Sequence, residues 1–194
     1  MNLRDSLRSK TKDAHQNLDD FVGEMKVFES IARYRVFLLG MNRLYQVFGN
    51  ELDWASKQIG APPATAKLVS SIQSDGSFTR DELKWNDENS RRQLSHYALR
   101  DDEACKWGVA YVLEGSAMGA RFMVKAAEKM IDSLSSDAVG SISATYLQTL
   151  ANDSYKRWPK FVETLNAADC DTTVAVQSAE QVFVAAKKIF VDLA

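Results

Sequence analysis

Apolar side chains recur along this chain at intervals of three and four residues. From Ile31 they fall at Tyr34, Leu38, Met41, Tyr45, Phe48 and Leu52. Only a helix keeps such a run on one face, because a strand would send alternate residues to opposite sides. Ser30 stands where an N-cap is needed, and Gly60 followed by Pro62 predicts the end. A second stripe closes the chain at Ala179, Val182, Phe183, Ala186, Ile189, Phe190 and Leu193. A third opens it at Leu3, Leu7, Thr11, Ala14, Leu18 and Phe21, with Gly23 near its end. Weaker helical patterns cover Ala64 to Ile72, Thr79 to Leu99 and Ile142 to Ala151. Another begins near Trp158, where Pro159 suits a first helical position. Asp101 or Asp102 is placed to cap a long helix reaching about Met130. Three prolines in 194 residues interrupt little of this, and the one strand-like fragment, Val174-Ala175-Val176, is too short to build a sheet. The expectation is a single all-α domain over residues 1–194, with about eight helices.

Composition narrows the partners. Twenty-four Lys and Arg against 26 Asp and Glu leave a net charge of -2, without the broad basic surface of a nucleic-acid binder. Two cysteines, Cys105 and Cys170, make neither a disulfide framework nor a zinc ribbon and fit a reducing compartment. Apolar runs such as Trp107 to Leu113 fall far short of the roughly 20 residues of a membrane span. The opening residues, Met1 to Arg8, carry no apolar core of a secretory signal. A cytoplasmic protein with no membrane and no nucleic-acid partner is expected.

Two positions carry candidate chemistry. His15 lies at the margin of the first stripe, with Arg8 two turns before it and Asp19 one turn after it on the same flank. A neutral imidazole is a good iron ligand, and a carboxylate beside its other nitrogen fixes the ring. The same pattern also describes a partly buried histidine with a salt-bridged flank. In the long central helix, Gly115 to Ala120 is almost entirely small residues. An interior glycine costs a helix about 1 kcal/mol relative to alanine, so Gly115 and Gly119 on one face with Tyr111 and Phe122 ask for a reason. A flat platform over a planar ligand is one; a tight helix crossing is the other.

Together these segments resemble a family. Leu7-Arg8 followed by Thr11, His15 and Leu18-Asp19 looks like the proximal-ligand segment of bacterial heme oxygenases. Trp107-Gly-Val-Ala-Tyr-Val-Leu-Glu-Gly-Ser-Ala-Met-Gly-Ala120 resembles their distal helix. Trp158-Pro-Lys-Phe161 is similar to the Trp-x-x-Phe helix towards their C-termini. The resemblance covers essentially the whole chain and implies a heme held between a proximal and a distal helix. It implies that the heme, as cofactor and substrate at once, is cleaved at a meso carbon to biliverdin, carbon monoxide and ferrous iron. O2 and an external reductase or ferredoxin would be needed. His15 falls on the axial-ligand position, Asp19 on an acidic position that orients it, and Arg8 and Tyr111 on propionate-side positions. Gly115, Ser116 and Gly119 fall on the distal catalytic segment, with Phe122 beyond it. Lys125, Lys129, Lys156 and Arg157 are further propionate candidates.

One departure stands out: Ser116-Ala117-Met118 occupies the stretch where some members carry Asp or Asn, so only Ser116 offers a hydroxyl to order water. A non-catalytic heme carrier or sensor on the same fold is the alternative. A di-iron site needs Glu-x-x-His motifs that two histidines do not make, and neither cysteine sits in a thiaminase-like setting. Arg121 and His96 read as surface residues; Tyr34, Phe37, Tyr45 and Phe48 read as core.

Overall fold

The structure is a computed structural model that describes residues 1–85, 102–133 and 142–193. His96 and most of the helical pattern read over Thr79 to Leu99 lie outside the described residues. Within them there are eight α-helices and no strand: α1 Leu3–Lys10, α2 Lys12–Glu24, α3 Ile31–Gln58, α4 Thr65–Asp75, α5 Arg80–Leu83, α6 Glu103–Asp132, α7 Thr145–Ala167 and α8 Thr172–Val191.

Local chemistry sets the ends. The Ser30 hydroxyl accepts from the Arg33 amide at 3.2 Å to start α3. At its far end Gly60 adopts φ +66°, while Gly60 N–H reaches Lys57 O and Ala61 N–H reaches Ser56 O. That pair of bonds satisfies the last carbonyls through a left-handed residue that glycine adopts without a Cβ penalty. Asp102, rather than Asp101, caps α6 by accepting from Cys105 N at 2.8 Å. Asp171 starts α8 before the Val174-Ala175-Val176 fragment, so those residues are helical.

The structure departs from the sequence reading in three places. The helix read from Thr79 to Leu99 stops at Leu83, where Lys84 turns extended (φ -70°, ψ 128°). The opening stripe is two helices, because Thr11 leaves helical geometry (φ -92°, ψ 4°) while its hydroxyl bonds Leu7 O at 2.8 Å. The helix expected to begin near Trp158 is the second half of α7, with Pro159 inside it. Proline there withholds one bond from the Tyr155 carbonyl, but both residues are exposed, so water can take that place.

The long helix α6 is the centre of the bundle, with α3, α7 and α8 packed around it and α4 against α3 and α7. Trp107, Tyr34, Tyr146, Phe48 and Phe161 are the largest fully buried side chains, and Phe37 and Tyr45 are buried with them. The start of α7 is fixed from α4: the buried Asp75 carboxylate accepts from Thr145 N at 3.1 Å and Tyr146 N at 2.7 Å. Burial pushes the Asp75 pKa up, and these hydrogen bonds pull against it.

Gly108 is where α8 crosses α6. A Cβ built on it would overlap the Ala175 carbonyl oxygen and lie 3.0 Å from the Ser178 Cβ. Gly108→Ala is therefore expected to destabilise the protein by about 1–3 kcal/mol through overpacking, despite alanine's better helix propensity. Urea unfolding of the variant measures it, and an unchanged midpoint would contradict this crossing.

Candidate functional site

Above Gly108 the same face of α6 is open. Tyr111, Gly115, Gly119 and Phe122 follow one another along it, a platform about 16 Å long at the helical rise. Among the described residues, a Cβ on Gly119 would meet nothing within 4 Å, and one on Gly115 would meet only the Trp158 ring, at 3.8 Å. Phe122 is 86% exposed. Trp158 packs beside Tyr111 and Gly115 at one end of this face, while among the described residues nothing lies where a side chain on Gly119 would point. Among the described residues no helix crosses tightly at Gly115 or Gly119, whereas Gly108 has that role.

One end of the platform is cationic. On α1, Arg4 and Arg8 are one turn apart, and both draw the Tyr111 hydroxyl's pKa down against the larger upward push of burial; Asp5 adds a smaller push upward. The phenol thus stays a proton donor beside two guanidinium groups. Arg4 is partly committed to Asp5, at 3.0 Å with both side chains part-exposed. Two cations and a phenol on this side are groups that suit a carboxylate.

The imidazole is on α2, which buries no residue completely. Ala14, Leu18, Phe21 and Val22 are half-buried along its inner side, and α2 rests mainly on α8. His15 is 59% exposed, and its Nε2 is 3.4 Å from Asp19 Oδ2. Phe183 of α8, itself buried, stacks on the imidazole with centroids 5.2 Å apart and planes at 28°. That backing holds the ring's plane while its edge stays accessible. His15 and Asp19 are thus together, and so are Arg8, Tyr111 and Gly115.

Other expected residues are placed differently. The Ser116 hydroxyl donates to Leu113 O at 2.7 Å, so its proton is committed to its own helix and only its oxygen lone pairs can serve a water. Arg157 does not offer its charge to the platform. Its guanidinium turns into the bundle, where Nη2 and Nε bond the Glu114 carboxylate and Nη2 also donates to Ser56 Oγ at 2.9 Å. A propionate would have to displace a buried carboxylate to reach it. Lys125, Lys129, Lys156 and Arg121 are exposed; the two lysines on α6 lie beyond Phe122.

Three residues of this region escape the sequence reading. Trp158 flanks the platform, 6.1 Å from the Tyr111 ring and 5.7 Å from Phe161 by centroids. Its signal was the Trp-x-x-Phe spacing, read there as a motif without a place. Arg4 had a signal too, one turn before Arg8 on α1. Phe183 had none, since its stripe reads as ordinary core.

Among the described residues no group of three or more His, Cys, Asp or Glu is arranged around a metal position, and no helix is long and apolar enough to cross a membrane. A lone imidazole, a flat helix face and a pair of arginines beside a tyrosine are the kinds of group that a planar, carboxylate-bearing macrocycle with its own equatorial ligands would need.

The heme oxygenase family model matches residues 1–192. No curated protein matches the chain. Among solved structures, the NO- and CO-bound heme oxygenase from Neisseria meningitidis aligns with a TM-score of 0.74 at 23% identity, over 100% of this chain and 92% of that one. At that identity the likeness speaks for the fold.

Proposed function

Since the chain belongs to the heme oxygenase family, and so is an oxidoreductase acting on heme, we propose that it cleaves heme at a meso carbon to biliverdin, carbon monoxide and ferrous iron. O2 and an external reductase or ferredoxin supply the oxidant and electrons. Heme is both cofactor and substrate, and when bound it supplies the iron at which O2 is activated; the protein contributes binding, orientation and electrostatics.

The observation that carries this reading is the Tyr111–Gly115–Gly119–Phe122 face of the central helix, half-buried at Tyr111 and Gly115 and open at Gly119 and Phe122. His15 would hold the iron through one ring nitrogen. Asp19 restrains the imidazole from the side, and a carboxylate there raises its basicity as a ligand. Phe183 keeps the ring plane from turning. Arg8, with Arg4 and Tyr111, would hold propionates, and this fixes how the macrocycle is rotated and which meso carbon is presented. Gly115 and Gly119 leave the distal side free of side chains, so the α6 backbone can approach it closely. With the Ser116 proton held by Leu113, that residue can receive a hydrogen bond from a distal water but not give one. Phe122 would cover the outer edge of the macrocycle and exclude water there. Two free cysteines are in keeping with a reducing, cytoplasmic setting.

Titration with hemin, then addition of ascorbate or a ferredoxin–reductase couple, tests the proposal. The expected result is a Soret band on binding, replaced after reduction by biliverdin absorbance, with the pigment identified by chromatography. A Soret band that persists would reduce the function to heme binding. A spectrum no different from free hemin would remove the site.

A further inference from the structure

The platform has an inner side. Glu114, immediately before Gly115, is 2% exposed, and Arg157, immediately before Trp158, is 14% exposed. The two form a forked pair through Nη2 and Nε, and Nη2 also reaches Ser56 on α3. Trp158 lies on the outer side, where a Cβ on Gly115 would just touch its ring, and beside Tyr111. Two consecutive residues of α7 therefore grip two consecutive residues of α6, one from inside the bundle and one from the platform side.

Apolar packing seats the first half of α6, through Trp107 against Phe161 and Gly108 against the Ala175 backbone, but holds its roll less firmly past Gly115. Its platform side carries no packed neighbour past Gly115 among the described residues, and Leu113, Ala117 and Ala120 on the inner side are smooth aliphatic contacts. A buried ion pair is weak evidence for stability, because desolvation offsets most of its attraction; its forked geometry, in contrast, is directional. With a backbone radius of about 2.3 Å, a roll of 20° shifts each Cα by about 0.8 Å. We propose that Glu114 and Arg157 are positioning residues for heme oxidation: they touch no substrate, and they fix the roll of α6 so that Gly115 and Gly119 face the macrocycle squarely. This rests on the functional reading above and gives Arg157 a role in place of propionate binding.

The test is the full-length double variant Glu114→Leu/Arg157→Met, with Glu114→Gln and Arg157→Lys beside it. Replacing a buried pair by apolar residues of similar volume is often neutral for stability, so the double variant is expected to fold. Without heme, amide exchange across residues 111–122 is expected to quicken. With heme, kcat is expected to fall on the order of 10- to 100-fold, the cost of misplacing reacting groups by about 1 Å, with KM unchanged. A single biliverdin isomer in the parent protein should become a mixture. Arg157→Lys, which keeps the charge and loses the fork, should recover only part of the rate. Native kcat and a native isomer pattern in the double variant would overturn the proposal, whatever its amide exchange. Should the double variant not fold, Glu114→Gln, which keeps the volume and loses the charge, carries the same readouts. If the parent protein leaves heme intact, the functional reading is what has failed. The heme-free exchange then decides the clamp by itself: faster exchange supports it, and unchanged exchange overturns it.

Discussion

Replacing His15 by alanine is expected to abolish heme turnover while leaving the fold intact. The two halves of this expectation have separate causes. The imidazole is 59% exposed, and its partner Asp19 is 60% exposed, so the pair contributes at most a few tenths of a kcal/mol to stability. Its stacking on Phe183 is a contact at the edge of the core. The thermal midpoint should therefore move little. The loss on heme is much larger. Removing a partner that merely orients a metal ligand typically costs about 10- to 100-fold, so removing the ligand itself should exceed about 100-fold in turnover. The ferric complex should lose the absorption pattern of an imidazole-bound heme, and added free imidazole, small enough to enter beside Phe183, should restore part of it. Full biliverdin production by His15→Ala without imidazole would mean that another group holds the iron.

The elements whose ends carry side-chain or glycine signals were legible in the sequence. Ser30, Gly60 and Asp102 act locally, within four residues of the bond they make, and a local rule finds them. Thr11 and Pro159 are local signals that tertiary packing reinterprets. Thr11 sits in an unbroken apolar stripe, yet it turns the chain so that α1 can lie on α7 and α8 while α2 follows α8 alone. Pro159 reads as a start, but a helix held at both ends by Asp75 and the core at Phe161 and Leu165 runs through it.

The site divides along the same line. His15, Asp19, Arg8, Tyr111 and the glycines are readable because each helix presents its own set at helical spacing. What sequence spacing cannot give is which side of α6 a charge turns to. Glu114 differs from the exposed Glu103 of the same helix in nothing but position: it lies about 100° round the helix from Gly115, enough to take it from the platform into the bundle. Arg157, a surface cation by residue type, is drawn inward by that buried carboxylate. A cation whose spacing suits a propionate is thus paired within the protein.

Gly119 offers the sharpest separation of stability from activity. Gly119→Ala places a methyl where nothing lies within 4 Å and removes a flexible residue from an exposed helix interior, so it should stabilise the protein by up to about 1 kcal/mol. Gly108→Ala, eleven residues earlier on nearly the same face, should do the opposite, because there the face is taken by the Ala175 backbone. One helix thus holds glycines of two kinds, and the stability measurement alone tells them apart. Gly119→Leu carries the functional half. A side chain that rises from the platform fills the space between α6 and the macrocycle, where the backbone alone has to stand. Hemin should still bind, since His15 and the Arg4, Arg8 and Tyr111 group are untouched. Turnover should fall by about 100-fold or more, because the reacting centre is displaced by at least the 1 Å that costs about two orders of magnitude. Gly119→Ala should lie between, more stable than the parent and slower than it, a trade familiar where an active site keeps a residue the fold would rather exchange. The checks are urea midpoints and single-turnover rates on the same preparations. A Gly119→Leu protein that turns heme over at the parent rate would show that the substrate lies on some other face, even if the stability order of the glycine variants came out as expected.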